Sequence, residues 1–250
     1  MDAERAFTHR LSRFRSKHRM AVVQYQSIQT GLIEGATLLA SFTTVNIDTP
    51  VYLPYLLARF LAKGGSIIRS SVQHISQVLE GALTPFKPDA LAVCAGIGAR
   101  FLGGVEDKDV YPIRGQTVLI RAPWVKFSRS LNRTGADTYI IPRRSGDVSE
   151  TVIYTGPYQT FNCSRQIILG GTRDANDWYP KPRPETRIAI LKRAIALAPE
   201  LAPPGTQNPT YEDLIPLIVE DGCGLRPARK GGIRLEREIV SGTPVVHNYG

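Results

Sequence analysis

Ala90-Leu-Ala-Val-Cys94 runs directly into Ala95-Gly-Ile-Gly98. An unbroken apolar run of this kind reads as a strand covered on both faces, and the glycines after it read as a turn opening a helix. Upstream, Leu53, Leu56, Leu57, Phe60 and Leu61 recur at helical spacing from Thr49-Pro50 onward, and Gly64-Gly65 stops the pattern. Ser66-Ile-Ile-Arg-Ser-Ser-Val72 reads as another strand. Downstream, Thr117-Val-Leu-Ile120, Thr138-Tyr-Ile-Ile141 and Gln166-Ile-Ile-Leu169 read as strands of an antiparallel sheet. Pro184-Glu-Thr-Arg leads a helix through Ile188, Leu191, Ile195 and Ala198, which Pro203-Pro204-Gly205 closes. Ile233 to Glu236 and Pro244 to Val246 return to strands. The expected fold class is α/β, of the mixed α+β kind, with a second and more β-rich region.

Composition narrows the function classes. With 42% apolar residues in 250, the chain buries a sizeable core, and no apolar run is long enough for a membrane-spanning helix. Cys94, Cys163 and Cys223 are too far apart for a metal site or a disulfide framework, which fits a reducing compartment. The net charge is +9, and the first twenty residues, with six Lys or Arg against two acids, hold +4 of it. That leader is read as a solvated segment, with a transit segment or a nucleic-acid-binding arm as alternatives. Elsewhere the basic residues are scattered among acids, so no nucleic-acid partner is expected.

Two segments carry candidate chemistry. Gly224-Leu-Arg-Pro-Ala-Arg229 sets Arg226 between apolar neighbours, where a planar guanidinium suits a carboxylate. Tyr139-Ile-Ile-Pro142 offers a phenol. The competing readings are local: Arg226 paired with Asp221 or Glu236, and Tyr139 an ordinary half-buried strand residue. With Arg114-Gly-Gln116, Gly170-Gly-Thr-Arg173 and His247-Asn-Tyr-Gly250 in the same order, these segments make the chain resemble the D-amino-acid oxidase family, which includes the D-aspartate oxidases, over roughly residues 41 to 250.

That resemblance implies FAD as cofactor and oxidative deamination of a D-amino acid to a 2-oxo acid, ammonia and hydrogen peroxide, with dioxygen as the second substrate. It implies Arg226 and Tyr139 as ligands of the substrate carboxylate. Arg173, followed by Asn176-Asp-Trp178, looks like the D-aspartate oxidases and implies a second carboxylate, as in D-aspartate; its alternative is a turn arginine paired with Asp174 or Asp177. Arg129 and Arg133 are candidates for a lid arginine. Val72, Ala95 and Gly96 resemble the segments at the adenine end of FAD, with Ala95 replacing the usual threonine. Arg114, Gly115 and Gln116 resemble a segment near the flavin, where Gly115 permits close backbone approach. The bland readings of these segments are strand-end packing and a simple turn.

The resemblance also implies a division into a leader and atypical segment (1–40), a partial Rossmann-like FAD-binding domain (41–112 with 220–250) and an antiparallel-sheet substrate domain (113–219) with an insertion at 149–166. A homodimer is a further expectation, as is a peroxisomal address with cytoplasm as the alternative. The family opens on a strand and a G-x-G-x-x-G helix that hold the FAD pyrophosphate, and residues 1 to about 40 contain no such unit; the near-fingerprint at Gly96, with Phe101 at its third glycine position, lies where a later family strand would be. Both ends look truncated against the family. The alternative function is therefore a non-catalytic remnant that does not retain FAD.

Overall fold

The computed structural model describes residues 25–28, 39–42, 47, 49–84, 86–131, 137–143 and 166–250. The basic leader, Arg133, Cys163 and nearly all of the segment 149–166 lie outside the described residues. The chain divides into two compact units, Met1–Tyr52 and Leu53–Gly250. The first contains an antiparallel pair, β1 (Tyr25–Ile28) and β2 (Leu39–Phe42), with Tyr25 opposite Phe42 and Ile28 opposite Leu39. The unit boundary falls within α1 (Thr49–Ala62), and Gly64, at φ +86°, takes the left-handed conformation that ends this helix. None of the residues of α1 is buried, so its apolar stripe lies open to solvent.

The second unit continues with α2 (Ser76–Leu79), β3 (Leu91–Val93), β4 (Val110–Arg121), β5 (Arg129–Leu131), β6 (Thr138–Pro142) and β7 (Gln166–Gly170). After these come β8 (Asp174–Ala175), α3 (Pro184–Leu197), β9 (Ile218–Arg229), β10 (Arg234–Val240) and β11 (Thr243–Tyr249). One sheet has the order β10-β11-β3, with β11 parallel to β3 and Val245 opposite Leu91. The larger sheet is built on β4. β9 runs antiparallel along one edge of β4, from Val110 opposite Arg229 to Ile120 opposite Ile218. Its other edge takes β7 and β8, and β6 and β5 extend the sheet beyond β7.

Alternation along β4 assigns its two faces. Arg114, Gln116, Val118 and Ile120 point to one side and are fully buried. Val118 lies opposite Leu169, which lies opposite Ile140, so branched side chains line up on that face. α3 covers it, burying Ile190, Leu191, Ala194 and Leu197 against the sheet. The isoleucine and leucine side chains each contribute about 1.5–3 kcal/mol on burial. A second cluster joins Ile75, Leu79, Val93, Ala99, Val110, Val245 and Tyr249 around the smaller sheet.

Two sequence expectations fail. Ser66–Val72 forms no strand: among the described residues no ladder pairs with it, Ile67 and Ile68 are exposed, and strand propensity without a partner does not make a sheet. The expected helix after Ala95 is only a 3₁₀ turn, Gly96–Arg100, because Gly96 enters at φ +53° and the bonds close over three residues, Gly98 N–H to Ala95 O and Phe101 N–H to Gly98 O.

Candidate active site

The face of the larger sheet opposite α3 is paved with glycine. Tyr139 lies opposite Gly170, Gly170 opposite Thr117, and Thr117 opposite Gly222, forming one row across β6, β7, β4 and β9. Two residues along β4, Gly115 lies opposite Gly224, and beyond it Ile113 lies opposite Arg226. Because successive side chains alternate, Tyr139 and Arg226 rise from the same face.

The glycines let both side chains lie flat. A Cβ on Gly170 would collide with the Tyr139 ring, and one on Gly171 would stand 2.9 Å from Tyr139 Oη. A Cβ on Gly115 would collide with the Arg226 guanidinium. Arg226 Nη1 donates to Thr172 O at 2.9 Å, so both candidate ligands converge on the stretch Gly170–Thr172. The local pairings considered for Arg226 do not form. Asp221 receives Arg187 Nε at 2.8 Å, and Glu236 receives Arg234 Nε at 3.0 Å. Among the described residues no carboxylate pairs with Arg226, which is exposed.

Arg173 stands at the rim of the same floor. Its Nε meets Asp137 Oδ2 at 2.6 Å, rather than Asp174 or Asp177, while its side chain remains 73% exposed. The same corner is tied by Gly171 N–H to Asp137 O, 2.9 Å. Asp177 instead binds Arg183, whose hydrogen bond holds the Asp177 carboxyl below its ordinary pKa. Arg129 is occupied: it grips both oxygens of Glu200 at 2.8 and 3.0 Å and lies over Phe127.

The segment Arg114–Gln116 splits between the two faces. Gly115 lies under Arg226, whereas Arg114 and Gln116 point into the core. Arg114 donates to the carbonyls of Tyr179 (3.0 Å) and Lys181 (2.7 Å) and to Gln116 Oε1 (2.9 Å). Gln116 Nε2 donates to Arg183 O, and Arg183 N–H returns a bond to Gln116 Oε1, each at 2.9 Å. Both side chains thus anchor the loop into α3, and Gly115 is the residue of this segment on the glycine face, buried beneath Arg226.

Val72 and Ala95 line one open cleft of about 500 Å³ with Ser70, Gln73, Gly98, Phe101 and Leu102. Gly96 is not among its lining residues and packs toward β9 instead: a Cβ there would stand 3.7 Å from Pro227 Cγ.

Several contributors escaped the sequence reading. Thr172 supplies the carbonyl for Arg226 and, through Oγ1, accepts Gln116 N–H at 3.0 Å. Arg229 Nε donates to Asp107 at 2.8 Å, Tyr249 Oη donates to the same carboxylate at 3.2 Å, and Arg234 donates to Tyr249 Oη at 2.8 Å. This clip joins β9 to β10 and β11. Burial pushes the Asp107 pKa up, but the bonds from Arg229, Asp109 N–H and Tyr249 outweigh it and hold the carboxyl below its ordinary value. Gly115 and the Gly170-Gly171 pair were the sequence signals for the floor.

Beside this geometry stand the comparisons with known proteins. A family model described as FAD dependent oxidoreductase matches residues 9–250, and the chain belongs to that family. It is 38% identical to a D-aspartate oxidase of Cryptococcus neoformans var. grubii, over 84% of this chain and 58% of that protein. It is 37% identical to a D-amino-acid oxidase of Schizosaccharomyces pombe, over 83% of this chain and 53% of that protein. The chain thus spans about half the length of these relatives. A solved glycine oxidase from Geobacillus kaustophilus is 20% identical, with a TM-score of 0.44 over 65% of this chain and 36% of its own.

Proposed function

We propose that this chain carries the substrate-recognition site of an FAD-dependent oxidative deamination of D-amino acids, with acidic D-amino acids such as D-aspartate favoured. The carrying observation is that Arg226 and Tyr139 meet the same Gly170–Thr172 stretch while no described carboxylate satisfies Arg226. A substrate α-carboxylate would take the free side of that guanidinium and the Tyr139 hydroxyl, a charge-assisted pair of bonds. Arg173 at the rim would receive the side-chain carboxylate, exchanging its exposed bond to Asp137.

The residues present fit two stretches of FAD. Val72 and Ala95, which line the open cleft, and the adjoining Gly96 would border its adenine end, and Gly115, whose missing Cβ makes room for the Arg226 guanidinium, would lie toward the flavin end. Bound FAD would supply the two-electron acceptor for the substrate α-hydrogen, with dioxygen as the terminal oxidant and hydrogen peroxide as its product. The protein's own contribution is to hold the carboxylate so that the α-hydrogen is presented in one direction.

The second reading is a family member that recognises carboxylates without retaining flavin. It is favoured by one observation: the 250 residues contain no G-x-G-x-x-G unit to cradle the pyrophosphate at a helix N-terminus. Purification with added FAD, followed by visible absorbance and oxygen uptake, separates the two. Retained flavin and oxygen uptake with D-aspartate faster than with D-alanine support the first. Protein that stays colourless and consumes no oxygen supports the second.

A further inference from the structure

Arg193 lies on α3, beneath the sheet that carries the glycine floor. Its Nη2 donates to Gly171 O at 3.2 Å, whereas its Nε is buried without a hydrogen-bond partner. Among the described residues no carboxylate pairs with it, unlike Arg187 on the same helix, which is held by Asp221. Burial pulls its pKa down, but a guanidinium stays charged at neutral pH. The next carbonyl along the chain, Thr172 O, accepts Arg226 Nη1 from the glycine face at 2.9 Å. Two guanidiniums without carboxylate partners therefore hold successive carbonyls from the two sides of the sheet.

We propose that Arg193 is a positioning residue for anion binding on the glycine floor. By holding Gly171 O it fixes the Gly171–Thr172 peptide, and with it the next carbonyl, Thr172 O, that sets the Arg226 guanidinium; its charge adds to the attraction for a bound carboxylate. The inference rests on the reading of Arg226 and Tyr139 as a carboxylate clamp. An uncompensated, partly buried cation burdens the fold, so its neutral replacement is expected to weaken ligand binding while leaving stability unchanged or improved. A purely structural arginine would behave in the opposite way.

The test is calorimetric titration of the full chain, supplemented with FAD, with D-aspartate as the probe. It compares wild type, Arg193→Gln, Arg193→Lys and Arg226→Gln, with urea unfolding of each. Expected for Arg193→Gln is a Kd about 5- to 10-fold weaker, the scale of losing one partly screened charge, with a smaller deficit at high salt. Arg193→Lys is expected to recover most of the affinity, and neither Arg193 variant to lose stability. Unchanged affinity in Arg193→Gln, alongside lost affinity in Arg226→Gln, overturns the role of Arg193 alone. Unfolding of Arg193→Gln, or a lysine variant that is stable but no better than glutamine, overturns it equally. Unchanged affinity in Arg226→Gln overturns the clamp on which it rests.

Discussion

Gly115→Ala separates recognition from stability most cleanly. The new Cβ would stand 2.7 Å from Arg226 Nη1 and closer still to its other guanidinium nitrogen, whereas ordinary contact begins at about 3.4 Å. The guanidinium must therefore withdraw by at least ~0.7 Å. It is the end of a flexible, exposed side chain, so the fold can accommodate the change, and Gly115 has no positive φ that would strain alanine. Loss of glycine's unfolded-state freedom even favours the variant by about 0.4–1 kcal/mol. Binding is another matter, because displacement of a positioning group by about 1 Å costs roughly 100-fold. Urea unfolding should accordingly place Gly115→Ala within about 1 kcal/mol of wild type, while calorimetry should show D-aspartate binding ~10- to 100-fold weaker. A variant that binds D-aspartate as wild type does would refute the assignment of Arg226 as anchor over Gly115.

The remaining predictions concern selectivity, pH and the core. Arg173→Gln should lower the preference for D-aspartate over D-alanine by about 5-fold, the scale of one exposed charge pair, without weakening D-alanine; competition binding with both ligands reads this. Asp107 titrates below its ordinary value in the folded chain, so its contribution is fully present above about pH 3.8 and is lost as pH falls through the folded value. Asp107→Asn should therefore be less stable than wild type at pH 7, and the two should converge in urea unfolding as pH falls through the folded value. Ile140→Ala, fully buried between β7 and α3, should cost about 2–5 kcal/mol in the same assay.

What the sequence disclosed follows from where the physics is local. β4, β6 and β7 were legible because branched residues such as Ile120, Ile140 and Ile167 recur beside turn residues, and α3 because Pro184 opens an amphipathic spacing. Ser66–Val72 misled for the same reason: its composition suits a strand, but only a neighbouring strand can make one. The Arg226 and Tyr139 motifs were readable as residue types in order, yet their convergence on Gly170–Thr172 depends on the register of four strands. Arg114 and Gln116 show the reverse: adjacent to Gly115 in sequence, they turn to the opposite face and spend their hydrogen bonds on the loop 179–183. Arg193 carries no motif, and only the packing of α3 brings it to Gly171.

The carboxylate clamp is tested most directly by the Kd of D-aspartate for Arg226→Gln against wild type, measured on folded protein supplemented with FAD. Removing a hydrogen-bonded charge from its partner should weaken binding by about 3 kcal/mol, or ~100-fold. Equal affinity for the two proteins would contradict the account.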